Sequence, residues 1–115
     1  MERMVALGEH LKSFVMARDW DQFHSPKNLA MALTVEAAEL QELFQWLTEE
    51  ESRSLPEPAM RAAEEELADV FIYVLRLAQV LNVDLLPAAE RKLEKNALKY
   101  PVDKAKGNAK KYTEL

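Results

Sequence analysis

The sequence predicts an all-α fold, a bundle of four helices, on three observations. Glycine occurs only at Gly8 and Gly107, too seldom for a turn-rich β fold. Apolar residues recur at helical spacing through four segments. The connections between those segments are short, which favours antiparallel neighbours in a bundle.

The first helix is expected from about Glu2 to Arg18, with Val5, Leu7, Leu11, Phe14 and Val15 as its apolar positions. Arg18 to Ser25 reads as a loop rich in aromatics. Ser25-Pro26 is a strong helix start, with serine as N-cap and proline at the first helical position. The second helix is expected to run to about Thr48, and Glu49 to Pro58 to form a linker with two prolines. The third is expected from about Glu57 to Leu81; beyond Leu67 it is apolar on nearly all sides, which reads as a central, buried helix. Asn82-Val83-Asp84 is a turn, and Asp84 is placed to cap a fourth helix, Leu85 to about Lys99, ended by Pro101. Residues 102–115 form a lysine-rich tail of little periodicity, following one domain over residues 1–101.

Composition narrows the function classes. With 49% hydrophobic and 30% charged residues the chain reads as folded and soluble. No cysteine is present, which excludes thiolate metal sites and cysteine catalysis and suits a reducing, cytoplasmic setting. No apolar run approaches the ~20 residues of a membrane span, and the N-terminal residues do not read as a signal peptide. A net charge of −5 speaks against a nucleic-acid polymer as partner. An acidic protein acting on phosphates needs a cation to offset the repulsion.

Two acidic doublets lie on the wrong side of their helices. Glu36 and Glu39 are three residues apart, as are Glu66 and Asp69. At about 100° per residue, Glu36 falls within the stripe of Leu29, Leu33, Leu40, Leu43 and Leu47. Glu66 shares a stripe with Ala59, Ala62, Ala63, Val70, Tyr73 and Leu77, and Asp69 interrupts an otherwise apolar run. Ionised carboxylates are almost never buried unless paired or bound to a cation. Four of them on interior faces point to a divalent metal site, and hard oxygen ligands suit Mg²⁺, with Mn²⁺ as the alternative. His10 and His24 do not supply the Glu-x-x-His pairs of a ferritin-like di-iron site.

Several neighbours suit a nucleotide. Trp46 lies near Glu39 on the wheel and Tyr73 on the Glu66 face; aromatic faces stack on bases, though both residues equally suit a core. Trp20, Phe23 and His24 can cap the same pocket or form a hydrophobic staple. Lys92 and Asn96 share a helix face and can hydrogen-bond a phosphate, or simply be solvated.

In order along the chain, E-x-x-E, 26 residues, and E-x-x-D resemble the MazG-like all-α nucleotide pyrophosphohydrolases. The stretches RDWDQFHSPKNLAMALTVEAAELQELFQW, EEELADVFIYVLRLAQVLNVDL and KLEKNALKYP are similar to the dCTP pyrophosphatase branch. The resemblance implies a four-helix MazG-like protomer over residues 1–101, assembling as a homotetramer built from two dimers. It implies Mg²⁺-dependent hydrolysis of a deoxynucleoside triphosphate, dCTP or a modified dCTP favoured, to the monophosphate and pyrophosphate. The implied metal ligands are Glu36, Glu39, Glu66 and Asp69, with Glu36 or Glu39 also polarising the attacking water. Trp20, Asp21, Gln22, Phe23, His24, Trp46 and Tyr73 would shape the base and sugar pocket, and Lys92 and Asn96 would contact phosphates or sugar. Two departures stand out: Leu11 occupies a position where that branch has a histidine, and alanine replaces a glycine near Val35-Glu36-Ala37. A relative acting on dUTP or other nucleoside triphosphates is the alternative within the class, and a non-catalytic helical adaptor is the alternative outside it. Arg76 alone offers too few cations to pair four acids as such an adaptor would require.

Overall fold

Helices account for the regular structure of residues 2–115, which the computed structural model describes, and no strand occurs among them. In chain order they are α1 (Glu2–Ala17), α2 (Pro26–Glu42), α3 (Glu49–Ser52), α4 (Glu57–Leu81), α5 (Leu85–Lys99) and α6 (Val102–Ala105). Single 3-10 turns lie at Asp21–Phe23 and Tyr112–Glu114. The expected third and fourth helices are α4 and α5.

The chain forms two compact units, divided after Asn82. In the first, α4 packs along α2 and against α1. Val15, Leu29, Ala63, Leu75 and Ala78 are its buried apolar residues. The approach of α1 to α4 is close at Gly8: a Cβ there would stand 3.3 Å from the Gln79 amide nitrogen. That nitrogen donates to the Gly8 carbonyl at 2.8 Å. The sequence reading made α4 buried on nearly all sides, but Leu67, Phe71 and Ile72 are exposed in the single chain. The pattern identified apolar faces; two helices are too few to cover them all.

The ends of the helices explain where the sequence reading was right and where it was not. Ser25 caps α2, its Oγ accepting the Asn28 N–H at 3.1 Å. α2 stops at Glu42 instead of Thr48, because the chain tightens into i→i+3 turns, Leu43 N–H to Leu40 O and Phe44 N–H to Gln41 O. The spacing of Leu40, Leu43 and Leu47 suits such turns as well as a helix. The expected linker contains α3, started by a capping box: Thr48 Oγ1 accepts the Glu51 N–H at 3.1 Å, and Glu51 Oε1 accepts the Thr48 N–H at 2.8 Å.

α1 ends in a Schellman turn. The Trp20 N–H donates to Val15 O and the Asp19 N–H to Met16 O, both at 3.1 Å. Asp19 takes the left-handed conformation, φ 53°, that glycine usually fills here. The turn lays Trp20 edge-on against Phe14, ring centroids 5.7 Å apart, and Arg18 covers the Phe14 ring at 3.7 Å. α4 ends with Asn82 left-handed at φ 56°.

In the second unit, α5 follows Asp84, which occupies the N-cap position expected of it but makes no side-chain bond to the helix. Tyr100 meets Tyr112 edge-on at 6.2 Å, and Lys99 lies 4.8 Å over the Tyr112 ring. Both contacts fasten the tail to the end of α5. Among the described residues no single helix is long and apolar enough to cross a membrane.

Candidate metal centre and adjoining cavity

α2 and α4 pack with their acidic turns facing. Each of Glu36, Glu39 and Glu66 brings one carboxylate oxygen within 4.8 Å of the others. Glu36 and Glu66 are half-buried and Glu39 is exposed. Glu36 Oε2 and Glu66 Oε2 are fully enclosed and have no hydrogen-bond partner. Leaving such oxygens unsatisfied is costly, and among the described residues no side-chain cation pairs with the cluster. Asp69 is exposed and stands outside this trio, yet its charge reaches both Glu36 and Glu66.

The electrostatics follow from that crowding. The Glu36 carboxyl is pushed up to about 7, by burial first and then by Glu39 and Asp69. Burial is also the main reason that Glu66 is raised, with the charges of Glu39 and Asp69 adding to it. Like carboxylates this close resist ionising together. An all-oxygen donor set with two orphaned, enclosed oxygens fits a hard divalent cation.

Beside the cluster, α1, the Trp20–His24 segment and α4 enclose a cavity of about 230 Å³. Trp20, His24, Asp69 and Tyr73 are among its walls, so four of the sequence-nominated residues meet at one place. Leu11, Phe14, Val15, Ile72 and Arg76 complete it. These the sequence reading did not nominate for the site, apart from noting the departure at Leu11. A second cavity of about 240 Å³, lined by Leu7, His10, Leu11, Phe14, Ile72 and Leu75, adjoins it along α1 and α4.

Other nominated residues fall elsewhere. Trp46 stands on the turns after α2 and is 87% exposed. Phe23 is exposed and is not a wall of the cavity. Gln22 is engaged in its own turn, its Nε2 donating to the Asp19 carbonyl and to Asp19 Oδ2, each at 3.0 Å. Asp21 turns to α4 and accepts from Arg76 at 2.6 Å. Lys92 and Asn96 belong to the second unit, where Lys92, Arg91, Lys95 and Ala88 line a depression of about 190 Å³.

The missed residue with the clearest signal is Arg76. It is a lone charge inside the apolar run of α4 and is 4% exposed. A buried guanidinium demands partners, and that demand was the signal to look for them, although nothing local in the sequence named them.

Comparison with known proteins gives a consistent set of likenesses. The model of the MazG-like family matches residues 31–115. The chain is 45% identical over 104 residues to dCTP pyrophosphatase 1 of Mus musculus, and 47% identical over 104 residues to dCTP pyrophosphatase 1 of Homo sapiens. Each alignment takes in 89% of this chain and 61% of the relative, so the chain spans about three fifths of the length of these curated relatives. A crystal structure of a pyrophosphatase from Archaeoglobus fulgidus superposes with a TM-score of 0.82 at 42% identity, covering 86% of this chain and 93% of that one.

Proposed function

The chain belongs to the MazG-like family, and from that footing we propose that it hydrolyses a nucleoside triphosphate, dCTP or a modified dCTP by preference, to the monophosphate and pyrophosphate. The observation that carries the reading is the pair of enclosed, unpartnered oxygens of Glu36 and Glu66, set beside a cavity walled by Trp20, His24 and Tyr73. The names of the mammalian relatives and of the archaeal pyrophosphatase support the same reaction.

In this proposal Glu36, Glu39, Glu66 and Asp69 hold Mg²⁺, or Mn²⁺ in its place. Such an ion, when bound, offsets phosphate charge and acidifies a coordinated water. The aromatic walls take the nucleoside, and Tyr73 and Trp20 present ring surface to the base. Water adds to the α-phosphorus, the bridging bond to the β-phosphoryl oxygen breaks, and pyrophosphate leaves. A carboxylate of Glu36 or Glu39 takes the proton of that water. Asp21 and Gln22 shape the pocket indirectly, through the turn that carries Trp20 and His24. Phe23 and Trp46, which lie outside the cavity walls, would reach the nucleotide in an assembled oligomer, and Lys92 and Asn96 are proposed as contacts to its phosphates or sugar. We propose a homotetramer, a dimer of dimers, as that assembly; the uncovered Leu67, Phe71 and Ile72 of α4 support it.

The deciding experiment incubates the protein with each dNTP and Mg²⁺ and identifies the products. Pyrophosphate and monophosphate, fastest with dCTP or a modified dCTP, are expected, and Glu39→Gln should abolish them. Orthophosphate with a diphosphate, or full turnover by Glu39→Gln, would refute the reaction or the ligand set respectively. A preference for dUTP would move the base assignment, where Leu11 in the cavity wall departs from the branch.

A further inference from the structure

Arg76 is almost fully buried, and three nitrogens of its guanidinium each bond a different residue. Nε donates to His24 Nδ1 at 3.0 Å, one terminal nitrogen to Asp21 Oδ1 at 2.6 Å, and the other to Gln79 Oε1 at 3.1 Å. Gln79 in turn donates to the Gly8 carbonyl of α1. One side chain thereby ties α4 to the aromatic turn and, through Gln79, to α1.

The bond to His24 has a chemical consequence. Arg76 can only donate, so Nδ1 of His24 must accept. A neutral imidazole that accepts at Nδ1 carries its hydrogen on Nε2. Burial, and then the charge of Arg76, hold His24 below the ordinary histidine range, against a smaller opposing effect of Asp21, which keeps the ring neutral. Nε2 has no hydrogen-bond partner among the described residues, and His24 is a wall of the cavity that also holds Tyr73 and Asp69.

We propose that Arg76 is a positioning residue that locks His24 in the Nε2–H tautomer, so that the ring donates a hydrogen bond to an acceptor on the nucleoside part of the bound nucleotide. The function of Arg76 is therefore recognition as well as cohesion. Lysine cannot replace it, because an ammonium is a point donor and cannot serve three partners in one plane. The proposal rests on the nucleotide reading above, but the tautomer itself does not.

Two measurements test it. The first is ¹⁵N NMR of the imidazole nitrogens in the metal-free, ligand-free wild type, with His10→Asn used to assign the two rings. A protonated Nε2 and an unprotonated Nδ1 in His24 are expected; the reverse tautomer, or a mixture of both, overturns the proposal whatever the activity. The second compares KM and kcat for the preferred dNTP in Arg76→Met, Arg76→Lys, His24→Phe and the Arg76→Met/His24→Phe double variant, each checked for folding by circular dichroism. KM should rise by roughly tenfold in each single variant, the scale of one lost hydrogen bond, with kcat little changed. The double variant should be no worse than the poorer single, since both remove the same contact. An unchanged KM in a folded Arg76 variant, or fully additive losses, leaves Arg76 a structural brace only and overturns the assignment. Should every Arg76 variant fail to fold, His24→Phe and the wild-type spectrum decide: an unmoved KM in His24→Phe overturns it. If the wild type releases no pyrophosphate from any dNTP, the functional reading fails, and the tautomer stands or falls on the spectrum.

Discussion

At Glu36, burial and the neighbouring Glu39 and Asp69 carboxylates hold a proton on until about pH 7, against an ordinary value of 4.5. The folded chain therefore binds more protons than the unfolded chain between those two values. Stability of the metal-free protein should fall as pH rises from about 4.5 to about 7, then level off. Divalent cation binding must displace that proton, so the rise in Tm on adding Mg²⁺ should be larger at pH 8 than at pH 6. Thermal melts across this range in a chelator and in Mg²⁺ check both signs. Glu36→Gln should raise the metal-free Tm at pH 8 by about 4 °C, the scale of ~1 kcal/mol of repulsion relieved, while removing the Mg²⁺ response. A Tm unchanged or lowered would mean that the carboxylates do not repel as their crowding requires. Asp19 makes a second residue-scale case. Its left-handed backbone tolerates aspartate but not a branched side chain, so Asp19→Val should cost ~1–2 kcal/mol in denaturant unfolding. At this scale much of the candidate cluster was legible: Glu36 and Glu66 were chosen as acids on apolar stripes, with Glu39 one step round, and the three converge. Arg76 was dismissed as too few cations for four acids; its real partners, Asp21 and His24, are more than 50 residues away in sequence and no local pattern links them.

For the elements, legibility followed the punctuation. α4 and α5 begin and end where they were expected, because proline or asparagine marks their limits. The end of α2 was misread because leucines three and four apart serve a tight turn as well as a helix. α3 was misread as linker although Thr48 and Glu51 spell a capping box; glutamates beside prolines suggested solvent, and one turn of helix leaves no periodicity to find. These caps are unequal. Ser25 starts the helix that carries Glu36 and Glu39, whereas Thr48 starts a single turn. Ser25→Ala should cost about 1 kcal/mol, and Thr48→Ala less, by the shift in denaturant midpoint. Asp84 lacks any bond to α5, so Asp84→Ala should cost less than Ser25→Ala despite the same apparent role.

On the scale of the whole molecule, what stands out is how little of the apolar surface is covered. Among the described residues five apolar side chains are buried, while Leu67, Phe71 and Ile72 on α4 and Leu93 and Leu98 on α5 are exposed in the single chain. Such faces support the proposed tetramer, in which other copies of the chain would cover them. Light scattering on the purified protein should give a mass about four times that of one chain, and Phe71→Glu should lower it. A monomer at micromolar concentration would sink the tetramer. The helical pattern in the sequence marked these faces as apolar; it held no information on whether the same chain or a second copy would cover them.

The Schellman turn at Asp19 brings Trp20, Asp21 and His24 to α4 in a fixed sequence of steps. Substitutions within that turn alter one wall at a time. An insertion or deletion between Ala17 and Asp21 would displace the two walls Trp20 and His24 together with Asp21, and break the Arg76 pairing. Diversification of this pocket is thus confined to exchange of side chains, and loop length in this stretch is not a variable that selection or an engineer can adjust without losing the site.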